Sequence, residues 1–292
     1  MTKVPSELLR EAHKRALEAT SVLQVEFGNL VRSGLVGNWL GRDAGSSIDF
    51  HEHRSYSPGD DPRHIDWRVF ARTGHYMMKQ FREEISPSVD ILVDPSPSMT
   101  LGAEKLMRTL EIIYFAVEAA SAAQASVRCS FLGGINRILD ISDLENYTMT
   151  FPEGRNDLAL NEQLVNAPIR RASLRFLISD LLFPGSPESS LGLLTGRAGR
   201  AILFVPFCND EARPSWNGSI EFTDCESQLR REQIVDQGIL ERYLNAYDTH
   251  FQYWREAANR FRVPLVRVCA DDPLISALSA ESVPGGALRL WG

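Results

Sequence analysis

Apolar and polar residues recur along this chain in two different periods, and the changes of period mark out its elements. From Ser6 to Val31 apolar side chains return at Leu9, Ala12, Ala16, Leu23, Phe27 and Leu30, which predicts an amphipathic helix with Ser6, after Pro5, as its N-cap. Glycine recurs from Gly34 to Gly45 and the periodicity stops, as in a loop. The stretch from Ser46 to Glu84 then predicts a strand near Ile48–Tyr56, a short helix near Pro62–Arg72 and a second strand near Tyr76–Glu83. The turn Ser57-Pro58-Gly59-Asp60-Asp61-Pro62 lies in its middle. With Ile48, Phe50, Ile65, Trp67, Val69 and Phe81, this stretch is too apolar for a solvated linker and should pack as a small β-rich lobe.

Beyond it, short apolar runs alternate with helical stretches. Val89–Val93 is a buried-type strand ending at Asp94, and a helix over about Ala103–Ala125 places Leu106, Leu110, Ile113, Val117 and Ala120 on one face. Strands near Val127–Leu132 and Arg137–Ile141 are joined by Gly133-Gly134-Ile135-Asn136, a hairpin signal. A helix over Leu158–Val165 precedes Leu174–Ile178, a strand ending at Ser179-Asp180; Ala201–Phe207 and Val263–Cys269 complete the strands. This order predicts an α/β fold, a doubly wound, mostly parallel sheet with helices on both faces, preceded by a small β-rich N-terminal extension. The segments are a helix over 1–33, the lobe over 34–86 and the α/β domain over 87–292, with a long helical insertion near 229–262. Leu240, Leu244, Tyr247, Phe251, Trp254, Ala258 and Phe261 of that insertion either pack along the core or form an exposed aromatic seam.

Composition narrows the function more than the fold. Hydrophobic residues make up 43% and charged residues 24%, enough for a sizeable core. A formal net charge of −7 argues against a general binder of nucleic acid or anionic membrane. The N-terminus has no apolar signal core and no long uncharged apolar run follows, so a cytoplasmic location is the expectation. The four cysteines form no CxxC pair, and Cys129 and Cys269 read as buried reduced thiols. Neither a Walker-type phosphate loop nor a Gly-x-Gly-x-x-Gly turn is present.

The candidate chemistry begins at Asp94-Pro95-Ser96-Pro97-Ser98, directly after the first core strand. Ligands of open α/β sheets gather beyond the carboxyl ends of strands, and a carboxylate with two hydroxyls on alternate residues suits a hard cation, Mg²⁺ above all. A plain helix-capping turn would use the same residues. Asp180 ends another apolar strand, and Asn156 sits in a third polar loop before a helix, so all three are expected to meet at one sheet edge. Upstream, Arg54, Asp60, Asp66 and Arg68 could form a salt-bridge network beside Tyr56 and Trp67, either stapling the lobe or facing a partner. His51, His53, His64 and His75 cluster in the same stretch; imidazoles so spaced can bind zinc, but no HExxH pattern or cysteine pair supports it.

Two resemblances follow from these residues. The loop Asp94-x-Ser96-x-Ser98 with the later Asp180 resembles the metal-ion-dependent adhesion site of von Willebrand factor A domains, where Asn156 stands in place of the usual Thr. The run Ser46-Ser47-Ile48-Asp49-Phe50, then Arg54-Ser55-Tyr56-Ser57-Pro58-Gly59-Asp60-Asp61-Pro62-Arg63-His64-Ile65-Asp66-Trp67-Arg68, resembles the signature of the bacterial domain-of-unknown-function 58 family. Ala71-Arg72-Thr73-Gly74 and Lys79-Gln80-Phe81-Arg82-Glu83-Glu84 continue it. The resemblance implies a von Willebrand factor A-like fold and a MoxR-type AAA+ ATPase as partner, in assembly or maturation of other proteins. A non-enzymatic protein-binding module, with Mg²⁺ held weakly at the sheet edge, is therefore the expectation. The alternative is a metal-dependent hydrolase using the same oxygens, for which Asp94 has no His or Glu base close in sequence.

Overall fold

The computed structural model describes residues 2–26, 34–35, 47–58, 60–84, 87–133, 137–152, 159–183, 185–225 and 228–291. The chain begins with β1 (Thr2–Lys3), α1 (Ser6–Thr20), β2 (Leu23–Val25), β3 (Gly34–Leu35), β4 (Ser47–Ser55), α2 (Trp67–Thr73) and β5 (Met77–Glu84). It continues through β6 (Ser88–Val93), α3 (Gly102–Ala122), β7 (Ser126–Phe131), β8 (Arg137–Leu139), α4 (Ile141–Glu145), β9 (Thr150–Phe151), α5 (Leu160–Val165) and β10 (Leu174–Ile178). The remainder is α6 (Pro187–Thr195), β11 (Arg200–Phe207), α7 (Asn209–Ala212), β12 (Gly218–Thr223) and β13 (Arg230–Val235). Last come α8 (Gln237–Phe261), β14 (Leu265–Cys269), α9 (Leu274–Ser282) and β15 (Leu288–Leu290). Two units result, one of residues 1–26 with 88–292 and one of residues 27–87.

The larger unit is built on a six-stranded sheet of order β14-β11-β10-β6-β7-β8, parallel except for β8, which pairs antiparallel with β7 as the Gly-Gly hairpin predicts. Its strands are mostly apolar because both faces are covered, with Asp90 in β6 and Arg175 in β10 as buried exceptions. Phe176 and Phe204 turn to one face, where Phe115 of α3 meets Phe204 edge-on at 6.3 Å. Leu92, Leu177 and Leu203 turn to the other and join Leu164, Leu191, Phe251 and Trp254 from α5, α6 and α8. Each such side chain contributes about 1.5–3 kcal/mol on full burial, so the strand pattern carries most of the fold's definition. The aromatic side chains of α8 thus pack along the core, and its first predicted residues, 229–235, instead belong to the β12–β13 hairpin.

Near the amino ends of these strands a second polar set closes the loops. Asp90 accepts hydrogen bonds from Arg170 N at 2.8 Å, Arg170 Nε at 2.6 Å and Ser173 Oγ at 2.7 Å. Arg175, wholly buried, donates to the carbonyls of Leu194 at 2.5 Å, Gly196 at 2.9 Å and Arg170 at 2.9 Å. These bonds cover the desolvation that an isolated buried guanidinium would suffer.

The N-terminal segment differs from its sequence reading. The helix begins one residue earlier than a Ser6 cap implies, since Pro5 occupies the cap position and its carbonyl accepts the Leu9 N–H at 3.2 Å. It also stops at Thr20: Leu23 and Val25 lie in β2, which pairs antiparallel with β15 at the far end of the chain. With β1 paired to β9 and the face Leu9, Ala12, Ala16 and Ala19 buried against α3, residues 1–26 belong to the larger unit. Phe27 and Leu30 lie outside the described residues.

The smaller unit holds an antiparallel sheet of order β3-β5-β4 with a bulge between Phe50 and Glu52. The single helix predicted over Pro62–Arg72 is two pieces. A 3₁₀ turn at Pro62–His64 is capped by Asp61; Ile65 then bridges to Met78 in extended form, and Asp66 caps α2. Gly74 ends α2 in the left-handed conformation, φ 73°, which glycine adopts without penalty. Among the described residues no helix is long and apolar enough to cross a membrane. Cys129 and Cys269 are buried free thiols.

Candidate functional site

The sheet defines where a site should be. Strand β6 connects onward to β7 on one side, while the later strands β10, β11 and β14 stack on the other, so the chain reverses direction across the sheet between β6 and β10. In open α/β sheets ligands gather at the carboxyl ends of the strands flanking such a switch point. Val93 pairs with Ile178 in register, which brings the next residues, Asp94 and Ser179-Asp180, to the same edge. Asp94 N–H donates to the Ile178 carbonyl at 2.9 Å. Asn156, the third residue expected there, lies outside the described residues.

The Asp94 loop turns on its own hydrogen bonds. Asp94 Oδ1 accepts the Ser96 N–H at 2.9 Å and Oδ2 accepts Ser179 Oγ–H at 2.8 Å; the Ser96 and Ser98 hydroxyls bond each other at 2.9 Å. A 3₁₀ turn over Pro97–Thr100 follows, and its Met99 is locked in place, with its sulfur accepting the Asp180 N–H at 3.2 Å and its carbonyl accepting Thr109 Oγ1–H at 3.1 Å. Thr109 belongs to α3, so the loop fixes the start of that helix and the position of Lys105 one turn earlier.

Lys105 is the residue that sequence reasoning missed. Its side chain is only 1% exposed, and its Nζ donates to Asp180 Oδ2 at 3.1 Å and to Glu211 Oε1 at 2.5 Å. Asp180 Oδ1 accepts the Leu182 N–H at 3.2 Å. Glu211 is held in turn: its Oε2 accepts the Cys208 N–H at 2.9 Å, and its carbonyl accepts Tyr243 Oη–H at 2.7 Å. Asp94, Asp180 and Glu211 thus follow the neighbouring parallel strands β6, β10 and β11, with the Lys105 ammonium between the last two carboxylates.

Burial and the nearby Asp180 charge push the Asp94 carboxyl up to about 7, against the hydrogen bonds from Ser96 and Ser179 that favour its ionised form. Burial alone would lower the Lys105 pKa, but the Asp180 and Glu211 carboxylates more than reverse this and raise it above the ordinary lysine value. The residues at this edge fit a divalent cation poorly. Each oxygen of Asp94 and Asp180 already has a protein donor, the Ser96 and Ser98 hydroxyls are bonded to each other, and a fixed positive charge stands 3.1 Å from Asp180. No group of three or more His, Cys, Asp or Glu side chains among the described residues is placed to hold a metal.

In the smaller unit the signature residues separate into two roles. Arg54 grips Asp60 with two hydrogen bonds of 2.7 and 2.6 Å, and this guanidinium, with the Ser57 N–H, holds the Asp60 carboxyl at about 2. Asp66 does not pair with the Arg68 guanidinium, as a four-residue network would require. It accepts the backbone N–H groups of Arg68 and Val69 at 3.0 and 3.2 Å and bonds His53 Nε2 at 3.0 Å. His64 and His75 are exposed, and the His51 side chain is outside what is described.

The other role is a surface. Trp67 is 57% and Tyr76 49% exposed, yet they meet edge-on at 6.5 Å, and Phe70 stacks on Tyr76 at 4.4 Å. Tyr56 lies 6.2 Å from Tyr76. Helical spacing puts Trp67, Arg68, Ala71 and Arg72 on the outward side of α2, and all four are exposed. Among the described residues no carboxylate pairs with Arg68 or Arg72.

Fold and site together define a mixed α/β protein with a lysine-centred carboxylate cluster at its sheet switch point and an aromatic, arginine-bearing helix on a β-rich lobe. Residues 52–138, which run from β4 to β8 and include both Trp67 and Lys105, match the family described as "Protein of unknown function DUF58". The uncharacterized proteins Rv1480 of Mycobacterium tuberculosis and Mb1516 of Mycobacterium bovis are each 27% identical over 239 residues, covering 74% of this chain and 73% of theirs. Among solved structures, an aerotolerance-related membrane protein from Bacteroides fragilis is similar at 14% identity and a TM-score of 0.40, covering 69% of this chain and 99% of its own. The conserved hypothetical protein BatB from Bacteroides thetaiotaomicron is similar at 12% identity and a TM-score of 0.35, with the same coverage.

Proposed function

We propose that this is a non-enzymatic protein-binding module with a von Willebrand factor A-like core, and that its β-rich lobe makes the contact through Trp67, Arg68, Arg72 and Tyr76. The resemblance of the lobe to the domain-of-unknown-function 58 signature names the expected partner, a MoxR-type AAA+ ATPase in the cytoplasm. The observation that carries the reading is the exposed α2 face. Large aromatic side chains left half in water, beside arginines that no described carboxylate pairs, are the residue types that dominate the energetics of protein interfaces. The rest of the signature supports this face: the Arg54–Asp60 pair and the Asp66 cap hold the helix that displays it.

The test separates binding from folding. Trp67→Ala and Arg68→Ala change exposed side chains, so each should leave stability within about 1 kcal/mol of the native protein. Co-purification of the ATPase from the native host should fall at least tenfold in both. Retention of the partner by the doubly substituted protein would reject this face as the contact, and loss of partner together with a large loss of stability would assign the residues to the fold instead.

A further inference from the structure

We infer that Lys105 is the resident cation of the switch-point site, occupying the position that a divalent ion takes at carboxylate clusters of this kind, so that the site forms without metal. Parallel strands deliver Asp94, Asp180 and Glu211 to one edge, and the carboxylates of Asp180 and Glu211, sharing one neighbour, need a counter-charge. An ammonium group is a compact charge with three donors and no acceptor, suited to carboxylate oxygens from several directions. Here it reaches two of the three carboxylates at 3.1 and 2.5 Å from a side chain with 1% exposure.

The surroundings are built to keep it there. Thr109 ties α3 to the Met99 carbonyl, the Met99 sulfur takes the Asp180 N–H, and Cys208 N–H and Tyr243 Oη–H hold Glu211 at both its carboxylate and its carbonyl. A tethered cation differs from a metal in two respects. A chelator cannot remove it, and it leaves no open coordination position for a partner's carboxylate. The switch point is on this account a permanently formed centre, and partner binding does not depend on Mg²⁺.

The experiment uses the full chain stripped with EDTA, titrated with Mn²⁺ and Mg²⁺, and read by calorimetric binding and thermal melts. The native protein should show no saturable Mn²⁺ binding that Asp180→Asn removes, and no melting shift in ~10 mM Mg²⁺ beyond that of Asp180→Asn. Lys105→Ala leaves the cluster without its cation and should bind Mn²⁺ at least tenfold more tightly than the native protein, an effect that Asp180→Asn in the same chain should abolish. If Lys105→Ala does not fold alone, Mn²⁺ should restore folding. A native protein stabilised by Mg²⁺ in a manner lost in Asp94→Ala overturns the inference. So does a Lys105→Ala protein, folded or not, that gains nothing from Mn²⁺, because Lys105 would then be an ordinary buried ion-pair partner.

Discussion

Replacing Asp94 by Asn is the most informative single change in this molecule, because it removes a charge while keeping the shape of the side chain. In the folded protein the Asp94 carboxyl titrates near 7, against 3.8 for the free side chain. The folded state therefore holds a proton that the unfolded state gives up. Below about pH 4 both states are protonated and the group has no ionisation penalty. As the pH rises from about 4 to about 7 the unfolded state ionises first and stability falls; above that the full penalty of a buried anion beside Asp180 is present. A displacement of this size is worth roughly 4 kcal/mol. The amide of Asp94→Asn carries no such penalty. Its oxygen can still accept one of the two donors, while the Ser179 hydroxyl can rotate to accept from the amide NH₂. Part of the ~4 kcal/mol is offset by the weaker, uncharged hydrogen bonds, so a net gain of about 2 kcal/mol at about pH 8 is expected. For a protein of this size that raises the melting temperature by about 4–8 °C. Melts of both proteins in EDTA from about pH 4 to pH 8.5 measure it, and the difference between the two curves isolates Asp94 from all other titrations. The difference should be near zero or negative at the acid end and grow as the pH approaches about 7. A difference that is flat with pH, or that favours the native protein at the alkaline end, would show that Asp94 is an ordinary ionised carboxylate and refute the reasoning.

Two further substitutions test other parts of the fold. A Cβ placed on Gly199 would overlap the Arg175 guanidinium, which cannot retreat without abandoning the Leu194, Gly196 and Arg170 carbonyls; Gly199→Ala should cost at least about 2 kcal/mol in urea unfolding, and a loss under about 0.5 kcal/mol would show that the clamp yields. Asp66→Ala removes the cap from two α2 N–H groups and should cost about 1–2 kcal/mol, whereas Asp66→Asn or Asp66→Ser should recover most of it; equal losses in all three would place the role of Asp66 in its bond to His53.

What can be read from the sequence, and what cannot, divides by the range of the interaction. Strands β6, β10 and β11 stand out as apolar runs because, Asp90 and Arg175 apart, their central residues meet hydrophobic neighbours on either face, and no knowledge of the partner is needed. Asp94, directly after one such run, and the pair Ser179-Asp180, directly after another, are legible for the same reason. Strands β1 and β2 are not: they hold two and three residues, too few for any period, and exist only because β9 and β15 come alongside from the middle and the end of the chain. The reading carries helix α1 on to Val31 because the spacing of Leu9, Ala12 and Ala16 continues smoothly into Leu23, which a remote strand then claims.

Lys105 shows the harder case. On α3 the apolar face at Leu110, Ile113 and Val117 is plain from the sequence, and a lysine off that face is ordinarily taken for a solvated residue. Yet α3 is buried almost all round, with Lys105, Arg108, Thr109 and Glu111 enclosed, since α1 covers the side that a two-layer pattern would leave to water. Its ion-pair partners are 75 and 106 residues away, so nothing in the local sequence distinguishes it from the exposed lysines. The charge chemistry of the lobe misleads in the opposite direction. Arg54, Asp60, Asp66 and Arg68 lie close enough in sequence to suggest one network, but Arg54 pairs with Asp60, while Asp66 caps α2 and bonds His53. Arg68 is left exposed beside Trp67, so the face proposed to bind a partner depends on side-chain pairings that residue spacing alone does not distinguish.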